Sequence, residues 1–124
     1  YCYNLFGIHR TLVRGTEPVP AGHHQVRAEF DYAGGLGGAA TVTLFVDGDP
    51  VDEGHLDRTT PLVYSYDETT DVGCDSGSTV SDEYDESTSR FPGTVNWVQI
   101  DVGVDDADHI VSADERWRVS MARQ

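Results

Sequence analysis

The stretch HQVRAEFDYAGGLGGAATVTLFVDGDPVDEGHL constrains the fold of this chain more than any other part of it. In its first third, Val26, Ala28, Phe30 and Tyr32 alternate with Arg27, Glu29 and Asp31. Successive strand side chains point to opposite faces, so this period of two predicts a strand with one wet and one buried face. AGGLGG then predicts a flexible turn. TVTLFVDG places Val42, Leu44 and Val46 on one face of a second strand. Asp47-Gly48 predicts a hairpin, because a two-residue turn needs positive φ and Asp-Gly tolerates it. The return strand is expected over residues 51–56. Pro61 interrupts, and Leu62, Tyr64 and Tyr66 restart the alternation.

Outside this stretch the pattern changes twice. The opening run YCYNLF reads as strand. Residues 67–90, DETTDVGCDSGSTVSDEYDESTSR, are acidic, small and hydroxyl-rich, which predicts a long structured loop. Sheet is expected to resume at TVNWVQIDV, where Val95 and Trp97 share one parity and Val98, Ile100 and Val102 the other. Either both faces are covered or a bulge shifts the register near Trp97. Near the end, Ser112 and Glu115 have capping-box spacing, and Ala113, Trp117 and Met121 recur every four residues. The expected fold is all-β, an antiparallel β-sandwich with a short C-terminal helix docked on it.

The length of 124 residues suits a single domain, 1–124, with a core large enough to fold without staples. The chain begins at Tyr1 and its single methionine is Met121. The expectation is one domain of a longer soluble protein, its compartment (cytoplasmic or exported) unspecified. No apolar run reaches bilayer-spanning length. The net charge is −14, from 22 acids against 8 arginines and no lysine. Such a surface repels phosphate backbones and anionic lipid, so neither nucleic acid nor membrane is an expected partner. Cys2 and Cys74 are too few for a disulfide framework and read as two separate thiols.

No nucleophile elbow, zinc-protease helix, Cys-x-x-Cys pair, P-loop or dinucleotide fingerprint is present. His9, His23, His24, His55 and His109 are scattered, and adjacent strand residues such as His23 and His24 point apart. The acidic loop is the best local candidate for a site. Its carboxylates, with Asp71, Asp75 and Asp82 as the named candidate ligands, are the hard oxygen donors calcium takes. Gly73 and Gly77 would let backbone carbonyls turn inward. The alternative is a solvated acidic loop.

Taken in order, YNLFGIHRTLVR, GHHQVRAEFDYAGGLGGAATVTLFVDG, DETTDVGCDSG, RFPGTVNWVQIDV and RWRVSMARQ resemble the C-terminal segment of large bacterial arylsulfatases. TVTLFVDG and FPGTVNWVQI are also similar to laminin G-like and concanavalin-like sandwiches, which implies a jelly-roll architecture. Cys74 and the acids at positions 82–86 are less typical of the family. The resemblance implies a parent that hydrolyses sulfate esters with a formylglycine, made from a Cys-x-Pro-x-Arg cysteine, and a calcium ion. None of that machinery maps here, since Cys2 is followed by YNLF and Cys74 by DSGS. The expected role is therefore a non-catalytic accessory domain that packs on, or shapes access to, an upstream catalytic domain of the same chain. The alternatives are a carbohydrate-binding module, with Tyr64, Tyr66, Tyr84 and Trp97 as stacking faces for a glycan, and a calcium-stabilised or purely structural acidic unit.

Overall fold

The computed structural model describes residues 1–61 and 70–102. Two antiparallel sheets carry the fold. Strands β1 (Cys2–Leu5) and β2 (His9–Leu12) form a hairpin. Strands β3 (Val26–Tyr32), β4 (Ala40–Val46) and β5 (Asp49–Leu56) form a three-stranded sheet with β4 in the middle. The helical content among the described residues is one 3-10 turn, Glu86–Thr88. The mostly-strand expectation therefore holds. The strand expected around Tyr64 and the helix expected around Trp117 lie outside the described residues.

The turns follow from their residues. Val46 pairs with Asp49, leaving Asp47 and Gly48 as a two-residue loop with φ of 54° and 94°. That is the mirror-image turn whose twist matches the strands, as the Asp-Gly pair predicts. Asp47 also anchors β3. Its carboxylate accepts from the Gln25 N–H at 2.8 Å and from His24 Nδ1 at 2.7 Å, and its own N–H donates to the Gln25 carbonyl at 2.9 Å. The His24 contact is the main reason the Asp47 carboxyl is held below the usual carboxylate range, with the Gln25 N–H next.

This sets a pH dependence. A carboxylate whose folded pKa is depressed contributes stability above its unfolded pKa and loses it as pH falls through the lower folded value. In an NMR titration, Asp47 is expected to protonate at lower pH than an ordinary aspartate. His24→Ala should move it back toward the ordinary range. An unmoved midpoint would mean that the His24 contact does not set it.

The core lies where the hairpin crosses the sheet. Register places Val42 opposite Phe30 and Gly54, and Ala40 opposite Tyr32 and Leu56, so these residues share one face. Val13, just after β2, packs there with Ala40, Val42 and Leu56, each at most 2% exposed, and Tyr3 and Leu44 pack around them. The Tyr3 ring stacks near Phe30 with centroids 6.3 Å apart. The opposite face carries Arg27, Glu29 and Asp31, with the Arg27 guanidinium 3.9 Å over the Phe45 ring. Gly54 is required by packing. A Cβ there would sit 2.3 Å from a Val13 methyl, so the backbone of β5 approaches the hairpin only because this residue has no side chain.

Three expectations change. The run YCYNLF does form a strand, but it turns back at Phe6-Gly7 into β2, a return strand the alternation did not announce. All seven residues of β3 are exposed, although alternation assigned it one buried face. The reason is position: among the described residues β3 lies at the edge of the sheet, and Val13 packs over the β4 and β5 part of the face. Residues 94–102 join no ladder, and Trp97, Ile100 and Val102 are 61%, 77% and 88% exposed. High strand propensity alone does not make a strand, because the backbone groups of a strand need a partner.

Candidate functional site

Residues 70–91 wrap beside the hairpin and enclose, with it, a cleft of about 980 Å³. Its walls include Tyr3, Phe6, Arg10, Asp75, Tyr84 and Phe91. The floor is fixed by the Tyr3 hydroxyl, which accepts from the Thr60 N–H at 2.7 Å and shares a hydrogen bond with the Thr60 hydroxyl at 3.0 Å. Thr59 is buried and donates to the Gly38 carbonyl at 2.8 Å, so the chain after β5 is pinned to the glycine-rich turn.

Local side-chain hydrogen bonds give the acidic segment its shape. Asp71 accepts from both the N–H and the hydroxyl of Ser76, at 2.9 and 2.7 Å. Asp75 accepts from the Val80 N–H at 2.9 Å and from the Tyr84 hydroxyl at 2.6 Å. That second bond, ahead of burial, pushes the Tyr84 phenol above its ordinary value, since ionising it would face a carboxylate. Asp85 caps the 3-10 turn reciprocally with Thr88, and Ser87 and Thr88 hold its carboxyl below the usual range. Asp and Ser residues thus supply the turn with partners that a ladder would otherwise provide.

Two arginines tie this segment to the hairpin. Arg10 donates from Nε to the Val80 carbonyl at 3.0 Å and pairs with Asp82 at 2.9 Å. Arg14 pairs with Glu83, and its backbone N–H donates to Asp52 at 2.7 Å. In a chain with 22 acids and 8 arginines, positive charge placed here offsets the repulsion of a dense acidic loop. Cys2 lies under the same contact, its Sγ 3.4 Å from the Val80 carbonyl, and burial pushes its thiol up against the opposing pull of Arg10. Such a thiol is a poor nucleophile at neutral pH. Cys2 and Cys74 are both free thiols.

The three candidate calcium ligands occupy different parts of this network. Asp71 serves the Ser76 turn, Asp75 serves Val80 and Tyr84, and Asp82 faces Arg10. Among the described residues no three metal-ligating side chains converge. Of the four aromatics expected as stacking faces, Tyr84 lines the cleft, Trp97 is exposed, and Tyr64 and Tyr66 lie outside the described residues. Sequence reading missed Phe6 and Phe91, residues 53% and 55% exposed that line the cleft. Phe6 holds a φ of 52° in the hairpin turn, a conformation that aromatic residues rarely adopt. The Phe-Gly pair between two apolar runs is the signal that was available.

The calcium expectation has a direct thermal test. A ligand that binds only the native state raises its melting temperature. With each carboxylate already engaged, millimolar calcium and a chelator are expected to give the same melting temperature. A rise of several degrees in calcium would place a metal in this loop.

Compared with family models, curated proteins and solved structures, the chain matches none of the three. The formylglycine chemistry of a sulfatase finds no fit among these residues, because neither cysteine is followed by the required proline and arginine. No helix among the described residues is long and apolar enough to cross a membrane.

Proposed function

We propose that this chain is a non-catalytic accessory domain, an antiparallel sandwich of jelly-roll type, that packs on a catalytic domain resembling a bacterial arylsulfatase. The observation that carries a docking role is the hairpin tip. Phe6 and Ile8 are 53% and 84% exposed, and Phe91 stands with Phe6 at the same cleft. A buried aromatic repays its conformational cost through packing, whereas Phe6 keeps a left-handed backbone while the residue stays about half exposed. Exposed aromatic side chains grouped in this way are typical anchors of a protein interface. The family resemblance of the ordered motifs supplies the kind of partner, an enzyme that hydrolyses sulfate esters.

Two experiments test this reading. The chain alone, incubated with a chromogenic aryl sulfate, is expected to give no turnover, and a rate above the blank would remove the non-catalytic assignment. An arylsulfatase catalytic domain lacking its own C-terminal segment is expected to bind the chain in titration calorimetry. Phe6→Asp should weaken that binding by roughly tenfold or more, the size of a hot-spot loss. Equal binding by the parent chain and Phe6→Asp would rule out the hairpin tip as the anchor. A glycan array separates the carbohydrate-binding alternative, for which Tyr84 at the cleft is the supporting feature: the docking reading expects no bound glycan.

A further inference from the structure

The chain carries a net charge of −14, and its fold sets little against that charge. Val13, Ala40, Val42 and Leu56 are the buried apolar core among the described residues. On the polar face of the three-stranded sheet, Glu29, Thr43 and Glu53 form one cross-strand row, and Asp31, Thr41 and His55 another. Glu29 and Glu53 flank a single threonine, so their strands lie about 10 Å apart. The turn between β4 and β5 adds Asp47 and Asp49. The segment beside the hairpin adds Asp71, Asp75, Asp82, Glu83, Asp85 and Glu86.

Arginine offsets part of this. Arg10 pairs with Asp82, Arg14 with Glu83 and Arg27 with Glu29, and each pair is open to water. Exposed pairs contribute little and weaken in salt. Salt therefore acts in two directions, screening these attractions and also the repulsion among the acids. With 22 acids against 8 arginines, repulsion is the larger sum. Length scales point the same way. The Debye length is about 30 Å at 0.01 M and about 3 Å at 1 M. A chain of this length has a radius of gyration of about 14 Å when folded and about 36 Å when unfolded. In dilute buffer every charge on the compact state feels the others, and unfolding relieves them. At 1 M only immediate neighbours interact. We propose that ionic strength is a switch on this fold: the compact state is weakened in dilute buffer and held where dissolved salt screens its acidic surface, with no ion at a fixed site. The domain is thereby fitted to a salt-rich medium, whatever it docks on.

Two other salt effects leave different signatures. A cation held by coordinating oxygens depends on the identity of the ion. Exclusion of a solute from the surface strengthens burial in any protein, and uncharged sucrose produces it too. Screening follows ionic strength and the charge of the chain itself.

Thermal unfolding of the full chain, followed by circular dichroism at neutral pH, tests the switch in sodium, potassium and choline chloride. Between about 0.01 and 1 M salt the melting temperature is expected to rise by roughly 10 °C or more, alike in all three salts. A chain unfolded in dilute buffer that folds as salt is added is the same result at its limit. Glu17→Gln/Asp31→Asn/Asp49→Asn/Glu86→Gln removes four exposed carboxylates whose side chains hold no bond among the described residues. This variant should melt several degrees above the parent chain in dilute buffer, and most of that gap should close in high salt. Sucrose should raise both chains equally. A melting temperature of the parent chain that does not change with salt would overturn the proposal. So would a rise confined to one cation, or a variant that keeps the full salt dependence of the parent chain.

Discussion

Leu56→Ala is expected to cost about 2–5 kcal/mol of folding stability, the range for removing a buried leucine side chain. Leu56 is 1% exposed and belongs to a core of four fully buried apolar residues among those described. In a large core the neighbours relax into part of the void. Here they have little room to do so. Val13 is held through the hairpin, with its N–H donating to the Tyr1 carbonyl at 2.9 Å, and Ala40 and Val42 are fixed in the central strand. Chemical denaturation with urea measures the loss directly: the midpoint should fall while the slope stays the same, because the surface exposed on unfolding barely changes. A loss below about 1 kcal/mol would mean that Leu56 does not sit in a packed core.

Gly54→Val should be destabilising for the opposite reason, by overpacking. A Cβ at this position meets a Val13 methyl at 2.3 Å, well inside contact distance, and a valine adds two further methyl groups. Forcing such a group into a packed layer costs about 1–3 kcal/mol, occasionally more. The hairpin must lift away from β5 or the strand must shift. Val13→Ala removes the methyl that clashes, so the double variant Val13→Ala/Gly54→Val should recover part of the loss. That double-mutant cycle is the informative measurement, since contacting residues are non-additive. Strict additivity would show that the glycine is needed for some reason other than the hairpin's approach.

Much of the sheet was legible from residue pattern. The alternation in HQVRAEFDY, the glycine-rich connection, the TVTLFV strand and the Asp-Gly turn each state a local preference, and the backbone follows all of them. Burial was less legible, because alternation tells which side chains share a face and leaves open what covers that face. Val42 and Phe30 lie opposite each other on one face, yet Val42 is 0% and Phe30 45% exposed, since Val42 packs in the core with Val13 and Leu56 while Phe30 meets the Tyr3 ring on the outer strand. The same limit explains residues 94–102, where propensity is plain and pairing is a matter of tertiary placement. From sequence the candidate site is a set of acids expected to gather round an ion. The structure spends those acids one by one on turns, on the Tyr84 hydroxyl and on Arg10, and no spacing rule distinguishes these uses. The cleft itself needed the hairpin, whose Phe-Gly turn is a weak sequence signal beside Asp-Gly.

The short connections of the sheets also bear on the order in which the chain folds. β4 and β5 are joined by two residues and β1 and β2 by three, while β3 reaches β4 through seven. Each pairing therefore closes a small loop, at little entropic cost, before any distant contact is made. The bonds that join remote parts of the chain, Tyr3 to Thr60 and Arg10 to Val80, span 57 and 70 residues. They belong to a late, consolidating stage. Weakening them should leave the refolding rate nearly unchanged and quicken unfolding, so the arginine staples act as a brake on opening.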